Sequence, residues 1–149
     1  MKLPAAILTI LFLLTGLSFA TAQDHTLTDD WTDLDLTEFY STNGDQLVAV
    51  QLDETPRFHR QAVMTAFKEM RYPSIARQKG IEGTVKIRVS LDERGQYIRA
   101  VPVSTIGAGC DEEALYSVQR IIRAGVTPAI LGGHPTAITF DIPVKFSFH

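Results

Sequence analysis

The sequence predicts an α+β domain: a three-stranded antiparallel sheet in the order strand, strand, helix, strand, with helices packed on one face. Three observations carry this. Residues Thr84–Leu91 and Thr136–Phe148 alternate apolar and polar side chains with a period of two, as half-buried strands do. Asp92-Glu93-Arg94-Gly95 is a turn, after which Gln96–Val103 returns antiparallel to the first strand. Between the second and third strands, Asp111–Arg123 repeats its apolar residues at helical spacing, long enough for a crossover over one sheet face.

The 149 residues, 45% apolar and 21% charged, suit one ordinary core and one domain. Met1–Ala22 reads as a signal peptide: Lys2 opens it, Leu3–Phe19 is apolar, and Ala20-Thr21-Ala22 provides the small residues for cleavage before Gln23. The alternative is an uncleaved membrane anchor, since the apolar run is nearly long enough for a bilayer of about 30 Å. No cysteine follows the run, which excludes a lipoprotein. The single cysteine, Cys110, forms no internal disulfide and is expected to be a small buried residue.

Residues 23–55 form an acidic N-terminal segment and 56–149 the domain proper. Asp24–Glu54 holds nine acidic residues and no Lys or Arg, whereas Arg57–His149 holds thirteen basic and eight acidic. The basic excess is too dilute for a nucleic-acid footprint, so no nucleic-acid partner is expected; attraction between the two parts is the simpler inference. Within the acidic segment, Leu36–Tyr40 and Leu47–Leu52 flank Ser41-Thr42-Asn43-Gly44-Asp45, and Asn-Gly between apolar runs predicts a hairpin.

Pro56 opens a helical stretch with Val63, Ala66, Phe67 and Met70 on one stripe. The stripe ends at Tyr72-Pro73, because a residue before proline leaves the helical region; Pro73–Gln78 then forms a short second helix closed by Gly80. In the first strand Val85, Ile87, Val89 and Leu91 face the core and Thr84, Lys86, Arg88 and Ser90 face away. The second strand keeps Tyr97, Ala100 and Pro102 on one face only with a bulge near Ile98 and Arg99, and Pro102 suggests an edge.

After the Gly107-Ala108-Gly109 loop, Asp111, Glu112 and Glu113 sit at the positive start of a helix whose apolar face is Ala114, Leu115, Val118, Ile121 and Ile122, closed near Gly125. Pro128–Pro135 is turn-rich. The last strand buries Ile138, Phe140, Ile142, Val144, Phe146 and Phe148; it is expected to lie antiparallel beside the first strand. Pro143 lacks an N–H, which places this strand at a sheet edge, open on one side.

No catalytic, cofactor or metal constellation is present. His25, His59, His134 and His149 are scattered over loops and ends, and the acidic triplet at 111–113 has no companion ligands. The chain therefore reads as a binding module, with the backbone of Ala137, Ile138, Thr139, Phe140, Asp141, Ile142, Val144 and Lys145 as its candidate surface. Extended peptides add to such edges through main-chain hydrogen bonds. A weak homodimer is a further candidate partner state.

Several strings resemble the C-terminal domain of TonB-type energy transducers, the Bacteroidetes branch in particular: Glu54-Thr55-Pro56-Arg57-Phe58, Tyr72-Pro73 with Ala76-Arg77, Gly80-Ile81-Glu82-Gly83-Thr84-Val85, Asp92 with Gly95, Gly107-Ala108-Gly109-Cys110-Asp111-Glu112-Glu113-Ala114-Leu115, Pro128-Ala129 and Ile142-Pro143-Val144-Lys145-Phe146. The resemblance implies a periplasmic domain that captures the TonB box, a short extended segment of an outer-membrane transporter, as a strand added along 136–148. Force for transport would come from a proton-driven inner-membrane motor complex. Two other roles compete: a membrane-anchored transducer, and a structural envelope protein whose edge is permanently covered. The acidic segment, through Leu47–Leu52, is a candidate internal cover for the edge; alternatively its hairpin pads the opposite face.

Overall fold

A computed structural model describes residues 31–34, 36–43 and 46–148; the cleavage site at Ala22 and Gln23 lies outside the described residues. The elements in chain order are β1 (Trp31–Thr32), β2 (Phe39–Asn43), β3 (Gln46–Val50), β4 (Phe58–His59), α1 (Arg60–Glu69), α2 (Ser74–Gln78), β5 (Gly83–Leu91), β6 (Tyr97–Ser104), α3 (Cys110–Arg123), β7 (Ala129–Leu131), β8 (His134–Thr136) and β9 (Ile138–Phe146). The main sheet has five strands rather than the expected three, in the order β3-β2-β9-β5-β6 and antiparallel throughout. The three strands at one end, β9-β5-β6, with the helices on one face, are the expected sheet; the hairpin β2–β3 adds the other two.

Alternation fixes the core. Val85, Ile87, Val89 and Leu91 of β5 and Ile138, Phe140, Ile142, Val144 and Phe146 of β9 are at most 3% exposed, facing Cys110, Ala114, Val118, Ile121 and Ile122 of α3. Burying each large apolar side chain contributes about 1.5–3 kcal/mol, so this two-layer contact dominates the stability. Leu115 lies at the margin of the core, only partly buried. Burial pushes the Cys110 thiol up from its ordinary value, keeping it protonated and unreactive.

Three expectations are corrected by packing. The first helix begins at Arg60 instead of beside Pro56, because Phe58 must be extended to reach the core, where it is fully buried and meets the Phe140 ring edge-on at 6.0 Å. Thr127 pins that extended segment: its Oγ1 accepts from Arg57 N at 2.7 Å and its N–H donates to Arg57 O at 2.9 Å. In β6, Ala100 is buried but Pro102 is exposed, although the register sets it opposite Ile87 on the same face as Ala100; the expected bulge at Ile98 is present, and a second lies at Val103, between the pairs Ile87↔Pro102 and Lys86↔Ser104, where the edge strand leaves the core. The last strand is shorter than 136–148. Thr136 belongs to β8, which pairs with β7 across the Gly132-Gly133 turn, and Phe148 is 43% exposed and stacked on Tyr72 at 4.7 Å.

The acidic segment is joined to the domain by backbone as well as charge. Asp53 N donates to Ile130 O at 2.8 Å, Ile130 N to Glu54 O at 3.0 Å, and Gly133 N to Asp53 Oδ2 at 2.9 Å. Farther out, Asp33 faces Arg57 at 3.8 Å, an exposed pair of small energetic weight.

Candidate functional site

β9 lies antiparallel beside β5 along its whole length, from Gly83↔Phe146 to Leu91↔Ile138, as the alternation predicts. In an antiparallel ladder the backbone groups of successive residues point to opposite sides. The register is unshifted at Lys86↔Pro143, so the N–H that Pro143 lacks is on the side away from β5. Thr139, Asp141 and Lys145 share that parity and direct their own N–H and C=O outward.

That outer side is not wholly free, which corrects the expected open edge. β2 pairs with β9 at Phe39↔Phe140 and Tyr40↔Thr139, making β9 an interior strand over Thr139 and Phe140. Beyond Phe140, no described strand lies against it. The accessible edge is thus Asp141–Phe146, and Ala137 stands outside the strand altogether. A shallow pocket of about 130 Å³, lined by Leu36, Thr37, Glu38, Lys86, Asp141 and Pro143, marks where the chain entering β2 diverges from this edge.

Of the other expected site residues, Ile138, Phe140, Ile142 and Val144 aim their side chains into the core, while Thr139, Asp141 and Lys145 lie on the face opposite the helices. There Arg88 grips Asp141 with both arms of its fork, Nε–Oδ1 at 2.7 Å and Nη2–Oδ2 at 2.9 Å. This hydrogen bonding raises the Arg88 pKa further, fixing its charge. Its guanidinium also lies 6.0 Å from the centre of the Tyr40 ring, and Ser90 Oγ meets Thr139 Oγ1 at 2.9 Å. Tyr40 donates to Glu38 Oε2 at 2.6 Å, which holds the phenol pKa above its usual value. Beside this network a groove of about 350 Å³ runs between Leu47 and Val103, floored by Arg88, Arg99 and Thr139.

Reasoning from sequence missed Tyr40 and Phe39 as parts of the site. It did place Arg88 and Asp141 on polar strand faces; with the β5–β9 register known, their juxtaposition follows directly.

The strings that carry the family resemblance have architectural contacts. Tyr72 donates through its hydroxyl to Ile81 O and meets Phe146 edge-on at 5.6 Å. Pro73 packs against Gly109, where an added Cβ would come within 3.2 Å of the proline ring. Gly80 closes α2 at φ 62°, and Gly83 accommodates Ile106. Ala114 is fully buried. Asp111 does more than complement the helix dipole: its two carboxylate oxygens accept from Ile106 N and Gly107 N, each at 2.9 Å, tying the loop to the helix it precedes. Glu113 likewise accepts from Arg71 N at 2.7 Å.

The family described as Gram-negative bacterial TonB protein C-terminal matches residues 68–148, just over half of the sequence. The chain belongs to the TonB C-terminal family. Its TonB-like region is 36% identical over 88 residues to Protein TonB of Vibrio cholerae serotype O1; the alignment covers 58% of this chain and 35% of that protein, so the chain spans about a third of the relative's length. It is also similar to the solution structure of a Helicobacter pylori TonB C-terminal domain, at 21% identity and a TM-score of 0.46, covering 60% of this chain and 79% of that one. The TonB match takes in α2, β5, β6, α3 and β7–β9, whereas the hairpin β2–β3 precedes it.

Proposed function

We propose that this chain is a non-catalytic, strand-capturing domain of a TonB-type energy-transducing system, acting in the periplasm on an outer-membrane transporter. The single observation that carries this reading is the outer edge of β9 over Asp141–Phe146: it is backed on its other side by a complete ladder to β5, so an extended peptide can pair with it without disturbing the sheet. Family membership supports a place in energy-dependent transport. A cleaved leader ending at Ala22 gives a mature protein starting at Gln23. The mass of the exported protein is expected to be short by those 22 residues, and an intact mass would select the anchored transducer.

Lys145→Pro tests the edge. Lys145 is exposed and its N–H points away from β5, so proline removes an outward donor and leaves the β5 ladder and the Arg88–Asp141 pair in place. Loss of one hydrogen bond with added crowding at the interface should weaken binding of a fluorescent TonB-box peptide by about tenfold, with little change in the urea midpoint. Undiminished binding by the folded variant would move the docking surface away from β9.

A further inference from the structure

The outer side of β9 is shared between an open half and a half held by the chain itself. β2 stops pairing after Phe39↔Phe140, although β9 runs on to Phe146. Two features halt it. The next antiparallel step would set Glu38 across from Asp141, two carboxylates on one face, and two residues farther along β9 Pro143 offers no N–H. The hold on β9 is correspondingly local: the Phe39 ring against Phe140 at 6.0 Å, and the Tyr40 ring beside Arg88. The far strand of the hairpin, β3, is exposed from Gln46 to Ala49. None of this hairpin lies within the family-matched residues 68–148.

We infer that the β2–β3 hairpin is a tethered stand-in for the ligand strand. An incoming extended segment nucleates on Asp141–Phe146 and completes its pairing by displacing β2 from Thr139 and Phe140. This rests on the strand-capture reading above and adds its regulation and its specificity. The displaced residues indicate what the ligand must supply: a large apolar side chain in the place of Phe39, covering Phe140, and beside it one that tolerates the Arg88 guanidinium. A carboxylate across from Asp141 is disfavoured for the reason that ends β2. Because the hairpin is tethered, its effective concentration is of millimolar order, enough to compete with a peptide of modest affinity. The apparent affinity for an external strand is then the intrinsic affinity reduced by the fraction of molecules whose hairpin has lifted.

The test uses the full chain, a fluorescent TonB-box peptide as probe, and two hairpin variants. Phe39→Ala removes the aromatic grip, and Val48→Pro interrupts β3 opposite Ser41 without touching the core, for the case in which Phe39→Ala folds poorly. At least one folded variant should bind the peptide about 3- to 10-fold tighter than the unaltered chain. In the unaltered chain, β2 amides should exchange with solvent faster than those of β5, and faster still when peptide is saturating. Equal affinities, or β2 amides as protected as those of β5, would overturn the inference while leaving strand capture standing. No binding by any of the three proteins would overturn strand capture itself, and the inference with it.

Discussion

Phe140→Ala is expected to lower the free energy of unfolding by about 3–5 kcal/mol, a large share of the roughly 5–15 kcal/mol typical of a domain. The residue is fully buried in β9 and is the meeting point of three segments distant in sequence: it pairs with Val89 of β5 and Phe39 of β2, and its ring lies 6.0 Å from those of both Phe39 and Phe58. Truncation leaves a void whose walls are rings anchored on separate strands, so they cannot close in together. Urea denaturation followed by circular dichroism measures the loss. Phe148→Ala, at a ring 43% exposed, is the contrasting case and should cost far less. A loss below about 1.5 kcal/mol at Phe140 would mean that the hairpin and the Phe58 segment collapse into the space. Since Phe39 touches the same ring, the effects of Phe39→Ala and Phe140→Ala should fall short of additivity when combined.

The same three-way junction shows what sequence pattern could and could not reveal. β5, β9 and α3 were legible because each carries its own periodicity over many residues, and the sheet pairing of β9 with β5 follows from crossover length and alternation. Pro143 marked the outer side of β9, and a proline reports on only one side of a strand: it tells where a ladder bond is missing, not how far a partner extends. The partner is Phe39–Tyr40, about a hundred residues earlier, whose two-residue contact has no periodic signature. The hairpin itself was readable from Asn43-Gly44 between apolar runs, and its docking place on the edge matches the cover weighed for the acidic segment. The strand that docks, however, is β2 rather than Leu47–Leu52. Short β7 and β8 were hidden by their length, since three residues cannot establish an alternation. The displaced start of α1 had a different cause: tertiary burial of Phe58 overrode the helical pattern beginning at Pro56.

Gly95→Ala is expected to destabilise the domain by about 2–5 kcal/mol, the combined cost of a left-handed backbone for a residue with a Cβ and of overpacking. Gly95 has φ 75° in the turn between β5 and β6, where Asp92 Oδ1 accepts from Arg94 N at 2.9 Å and Gln96 N at 2.8 Å. A Cβ there would lie 2.4 Å from Val126 O and 3.2 Å from Pro128 N, a backbone wall that has little room to retreat. Val126 bridges to Phe58, and Thr127 is bonded twice to Arg57, so yielding at this wall would disturb the segment that delivers Phe58 to the core. Asparagine separates the two costs. It tolerates the left-handed region far better than alanine but brings the same Cβ. If the contact with Val126 dominates, as the 2.4 Å approach indicates, Gly95→Asn will be nearly as damaging as Gly95→Ala in thermal and urea unfolding. Substantial recovery by asparagine would assign the cost to the backbone angle instead, and an alanine variant within about 1 kcal/mol of the unaltered chain would show that the turn swings clear of Val126 and does not brace the Phe58 segment.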